Sequence, residues 1–181
     1  MAKQQKKKIV TLEPLKEKDE GRFVDDLQAA FQVVATELFG QSMFYAISAL
    51  EIFESLDTPN AKAYNILLDG VVVGGLVVII DRESQHNTLD LMYVDPKMQN
   101  QGIGFKAWKL IEARYRKTRV WKTQMPYFDE RNIHFYVNKC GFHMVEFMNA
   151  HHKDPLVADN DSDDDSEFEI MYRFEKDIHR E

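Results

Sequence analysis

The stretch Tyr93-Val94-Asp95-Pro96-Lys97-Met98-Gln99-Asn100-Gln101-Gly102-Ile103-Gly104 carries an apolar strand into a turn and sets two glycines at the mouth of an amphipathic helix. The first four N–H groups of a helix lack intrahelical partners, and the helix dipole adds partial positive charge, so such a start attracts phosphate. Gly102 and Gly104 let a bulky anion sit close against the main chain. The predicted ligand is a cofactor that carries a pyrophosphate.

Other reactive residue types point elsewhere or nowhere. Cys140, beside Gly141 at a predicted helix end, reads as a small buried hydrophobe rather than a nucleophile. His134, His143, His151 and His152 lack the cysteine or paired-histidine spacing of a structural zinc site, so no metal is expected. Asp159, Asp161 and Asp163 resemble a calcium loop, but Asp164 stands where that loop needs glycine and Ile170 where it needs a bidentate glutamate. Gly74-Gly75, inside a strand pattern, marks a bulge or a close backbone contact rather than a second phosphate site.

These residues need a scaffold, and the apolar periodicity supplies one. A short first strand is expected over 8–12. Phe23, Leu27, Phe31, Val34 and Leu38 follow helical spacing, with Gly40 as the stop. A second helix is expected from a Ser42 cap, burying Tyr45, Ala49, Ile52, Phe53 and Leu56. Strands over 62–68 and 71–81 flank Asp69-Gly70, a strong hairpin signal. A strand over 88–94 leads into the glycine turn, and the helix after it buries Ile103, Ala107, Leu110, Ile111 and Arg114. A strand over 119–125, a helix from an Asp129 cap to Lys139, and strands over 142–148 and 167–174 complete the order. A hairpin together with a strand–helix–strand crossover predicts an α+β or mixed α/β sheet.

The chain has 181 residues, 44% of them apolar and 29% charged, as expected of one ordinary domain. Residues 1–8 read as a basic flexible tail, 9–181 as one domain, and 149–166 as an acidic loop. The net charge is −7, but six of the acids lie between Asp159 and Glu167, and without them the balance is −1. That gives no support to nucleic-acid binding. No apolar run matches a membrane span, Lys6-Lys7-Lys8 is not followed by an apolar signal segment, and the single cysteine suits a reducing cytoplasm.

The run Gln99-Asn100-Gln101-Gly102-Ile103-Gly104 matches the Q/R-x-x-G-x-G/A signature of the GNAT superfamily of N-acetyltransferases, and Leu91-Met92-Tyr93-Val94-Asp95-Pro96 resembles the strand before it. Downstream, Asn132, Tyr136 and Gly141-Phe142 resemble the family's N…Y…GF segment. The resemblance covers nearly the whole chain and implies a central mixed sheet of six to seven strands with about four helices. It differs at one place: five positions separate Tyr136 from Gly141 where family members commonly have four. Either the helix carries an extra residue near its end, or the tyrosine position falls on Val137, which cannot transfer a proton.

The resemblance further implies acetyl-CoA as co-substrate, with transfer to a primary amine by direct attack in a ternary complex. Main-chain groups of Met92, Tyr93 and Val94 would hold the pantetheine arm and polarise the thioester carbonyl. Gln99, Asn100, Gln101, Gly102, Ile103, Gly104 and Phe105 would take the pyrophosphate, and Asn132 the cofactor's arm. Tyr136 is the expected acid for the departing thiolate. Asp90 is the base candidate, because it shares strand parity with Met92 and Val94; a solvent-facing carboxylate is the competing reading, and Glu130 or a water chain stays open. The acceptor is a small-molecule or peptide amine, walled by the helices between Arg22 and Leu56. The free edges of such sheets allow a homodimer. The alternative function is a non-catalytic acyl-CoA sensor, which the displaced Tyr136 would suit.

Overall fold

The computed structural model describes residues 8–40, 47–149, 152 and 170–178. Seven strands of mixed direction and four helices occur among them, which bears out the expected fold class. The chain forms two compact units, Met1–Asp81 with Leu89–Arg116, and Arg82–Thr88 with Lys117–Glu181. The acidic loop lies almost wholly outside the described residues.

In the first unit the strands lie in the order β1 (Val10–Pro14), β2 (Ala61–Leu68), β3 (Val71–Ile79) and β4 (His86–Val94), of which β4 contributes Leu89 onward. The β2–β3 pair is antiparallel, and Asp69 (φ 50°) and Gly70 (φ 85°) make the expected positive-φ turn. The Asp69 carboxylate also accepts the Ile9 N–H at 2.9 Å, which fixes the start of β1. β2 and β3 slip register at Ile66/Leu67, opposite Gly74 and Val72.

Helix α1 (Glu20–Phe39) buries Phe23, Val24, Leu27 and Ala30 against Ile52, Val77 and Tyr93, and Gly40 ends it at φ 78°. Helix α2 (Ala49–Asp57) departs from expectation. It is capped by Ser48, whose side chain accepts from the Glu51 N–H while the Glu51 carboxylate accepts from the Ser48 N–H. Ser42 and Tyr45 fall outside the described residues. Ile52 is buried as expected, but Phe53 faces outward at 40% exposure, and the second buried position is Ser55.

Helix α3 (Ile103–Arg114) buries Ile103, Ala107 and Ile111 as predicted, but the fourth buried residue is Trp108, not Leu110. Arg114 is not core either: its guanidinium lies 4.8 Å over the Tyr64 ring, while the Tyr64 and Tyr115 hydroxyls share a 2.6 Å hydrogen bond.

In the second unit the start of β4 pairs in parallel with β5 (Val120–Pro126) from His86↔Val120 to Thr88↔Lys122. β7 (Met171–Asp177) pairs antiparallel with both β5 and β6 (His143–Met148). Trp121, Phe142 and Phe174 are fully buried here, and a 2.7 Å hydrogen bond joins the buried Asn87 and Thr118 side chains. Helix α4 (Glu130–His134) continues into a wider π-helical turn over Phe135–Cys140.

Candidate active site

The strand–turn–helix of the first unit is built by short-range bonds. The Asp95 N–H reaches the Val73 carbonyl at 2.8 Å, and its carboxylate caps the following turn by accepting the Lys97 N–H at 2.9 Å. The Gln99 amide then donates to the Val94 carbonyl at 3.1 Å, folding the loop back on the strand that precedes it. Asn100 (φ 61°) and Gly102 (φ 71°) both adopt the left-handed conformation, which turns the chain sharply into α3. Gln101 accepts a 2.6 Å bond from the Lys8 ammonium.

The start of α3 is chemically open. Gly102 is its N-cap, no side chain caps the following N–H groups, and its first turn contains no acid. Helix α1 also starts without a side-chain cap, but there Glu20 sits at the positive end. A Cβ built at Gly102 meets nothing within 4 Å. Ile103 is buried and anchors the turn, whereas Phe105 is 40% exposed beside it. Gln99 to Phe105 run through this turn into the first residues of α3, a helix start to which an anion is suited.

On β4, Leu91, Met92 and Val94 are half-buried while Tyr93 is buried. The Tyr93 ring meets Phe23 edge-to-face at 5.5 Å and lines a cleft of about 120 Å³ with Arg22, Asp26 and Asn65. Burial pushes its phenol pKa up strongly; Asp26 and Asp95 add to the rise, and Arg22 opposes it. Asp90 is exposed, and its carboxylate accepts a short hydrogen bond from the Ser55 hydroxyl of α2. Sequence reasoning missed Ser55; the available signal was a polar residue on the helical face of Ile52.

In the second unit Asp129 caps α4 and accepts the Asn132 side-chain amide at 2.6 Å, which leaves the Asn132 carbonyl oxygen uncommitted by that bond. Tyr136 packs edge-to-face on Phe135 (5.1 Å) and Phe142 (5.7 Å) and is 8% exposed. Its carbonyl accepts both the Gly141 and the Phe142 N–H groups. The i+5 bond from Gly141 spans the five positions back to Tyr136, so this stretch winds as a π-helical turn. Burial above all, then the neighbouring Cys140 and Asp129, drives the Tyr136 pKa upward, and the phenol stays protonated over any working pH. Cys140 is buried, in line with its apolar reading.

Comparison with known proteins agrees with this architecture. Residues 23–142 match the model of the Acetyltransferase (GNAT) family. An uncharacterized protein, YrkN, of Bacillus subtilis (strain 168) is 50% identical over 157 residues, which cover 86% of this chain and 85% of that one. In fold, the chain resembles the ribosomal-protein-S18-alanine N-acetyltransferase of Escherichia coli, with a TM-score of 0.67, 15% identity and 96% of each chain covered. It also resembles a GNAT family acetyltransferase of Elizabethkingia anophelis solved with acetyl-CoA bound, with a TM-score of 0.65, 17% identity, and 93% and 98% coverage. A glycine turn opening an acid-free helix, on this strand order and with this family match over 120 residues, leads to one assignment: the chain belongs to the GNAT family of acetyltransferases.

Proposed function

We propose that the protein transfers an acetyl group from acetyl-CoA to a primary amine by direct attack in a ternary complex. The observation that carries this is the uncapped, acid-free start of α3 at Gly102, where a side chain would meet nothing within 4 Å. Its donors suit a pyrophosphate, and the half-buried Met92 and Val94 on the strand leading to it suit a pantetheine arm. Acetyl-CoA, when bound, supplies an acetyl group activated as a thioester.

The chain's own residues then have three tasks. Main-chain dipoles of 92–94 hold the acetyl carbonyl polarised, at no reorganisation cost. Asp90 faces the amine side and receives its proton, directly or through water. Tyr136 hands its phenolic hydrogen to the departing sulfur and, because burial disfavours a tyrosinate, takes back in the same step the second proton that nitrogen loses. The C–N bond forms and the C–S bond breaks, and the first ammonium proton passes on from Asp90 to solvent. The sensor alternative drew on the five-position spacing; the π-helical turn supports the reading in which the helix carries the extra residue and Tyr136 keeps its role.

The test is thermal unfolding with and without acetyl-CoA, in the wild type and in Gly102→Glu. A ligand that binds only the folded state raises the midpoint. The expected result is a rise in the wild type that the variant loses, since a carboxylate would stand among the phosphate donors. No rise at millimolar cofactor would refute the reading. Thiol release in the presence of an amine, abolished by Tyr136→Phe, then separates an enzyme from a sensor.

A further inference from the structure

Resting on the acetyltransferase reading, we infer that Ser55 is a positioning residue that holds the Asp90 carboxylate against the acceptor's ammonium, so that the acceptor is an amine arriving as a cation. Ser55 lies in α2, 7% exposed, on the same side as the buried Ile52. A buried hydroxyl must find a partner or lose stability. A helical serine usually bonds the carbonyl one turn back. Ser55 instead donates across to Oδ2 of Asp90, 35 positions later on β4.

The consequence lies in what the bond leaves free. Asp90 is exposed, and no other side-chain hydrogen bond or ion pair reaches its carboxylate among the described residues. One oxygen is therefore tied and the other is open, with the rotamer fixed by a buried donor. The open oxygen sits two residues before Met92, on the strand proposed to carry the acetyl carbonyl. A carboxylate attracts an alkylammonium far better than it deprotonates one, because their reference pKa values differ by about six units. The pair therefore selects and orients a cationic amine, whose proton then reaches the same carboxylate through a water rather than by direct transfer.

The experiment follows thiol release by the full chain with acetyl-CoA and either benzylamine, a cation at neutral pH, or aniline, which is neutral there. Ser55→Ala is expected to raise KM for benzylamine roughly tenfold, with little change in kcat, in KM for acetyl-CoA or in the aniline rate. In an Asp90→Asn background the same change should do nothing further, because Ser55 acts only through that carboxylate. Ser55→Thr, which keeps the donor, should restore most of the affinity.

Equal losses for both amines, or full additivity with Asp90→Asn, would overturn the inference. Asp90→Asn, at an exposed position, tests it independently of how Ser55 variants fold: an unchanged benzylamine-to-aniline ratio there also overturns it. Release with neither amine, while acetyl-CoA still raises the melting midpoint, would refute the acetyltransferase reading itself and this inference with it.

Discussion

Gly74 and Gly102 are both needed without a side chain, for opposite reasons. A Cβ at Gly74 would stand 2.4 Å from the Tyr93 carbonyl oxygen and 3.1 Å from the Val94 Cα, so the residue is glycine because β4 runs against it. At Gly75 the obstacles are the Phe23 and Tyr93 rings, at 2.2 and 2.8 Å. Gly102 has empty space and a φ of 71°. The first pair of glycines is a packing device within the core that seats Tyr93. Gly102 is a conformational device: its left-handed φ turns the chain into α3, and nothing fills the space beside it.

The sharpest way to break this comparison is Gly74→Ala. Backbone atoms cannot yield cheaply, so the expected loss is about 3 kcal/mol, read as a fall in the melting midpoint on the order of 6–12 °C. A variant as stable as the wild type would show that the close approach is not required. Gly102→Ala should cost only about 1 kcal/mol, the strain of a left-handed non-glycine, because the added methyl meets nothing. If it cost as much as Gly74→Ala, the space beside Gly102 would not be open.

Ser48→Ala sharpens the contrast between capped and uncapped helices. It removes the acceptor that receives the Glu51 N–H in the α2 capping box and should cost about 1 kcal/mol by chemical denaturation. The smallest effect near neutral pH is that of Tyr136→Phe on stability, since no side-chain hydrogen bond is lost among the described residues. Its signature comes at alkaline pH. The folded pKa lies above the unfolded value of about 10, so the buried phenol's contribution is complete below pH 10 and is lost as pH rises through the folded value. Above pH 10 the wild type should therefore lose stability more steeply than the variant.

Much of the architecture was legible because its signals are local. Asp69-Gly70 needs positive φ whatever surrounds it, and the structure makes the hairpin there. The step from β4 into Gly102 and α3 is fixed by strand periodicity, two left-handed residues and a helix start, all within a dozen positions. One departure had a signal in the sequence: Ser42 and Ser48 are both good caps by type, but only Ser48 has Glu51 three positions on to complete a capping box. Other features were illegible because two positions compete on equal terms. Leu110 and Trp108 both fit a helical face, and the choice between them depends on what the sheet presents.

By itself, then, the sequence determined where the chain turns, which helix opens on glycine, and the family to which those motifs belong. These follow from backbone freedom and side-chain period, which need no partner. Tertiary structure alone decided the rest. It wound the five positions from Tyr136 to Gly141 into a wider helical turn, in which Gly141 bonds five positions back and Tyr136 packs on Phe142. It forced Gly74 and Gly75 to stay bare by laying β4 and Phe23 against them. And it brought Ser55 to Asp90, because a buried hydroxyl takes its partner from whatever strand the fold lays beside it.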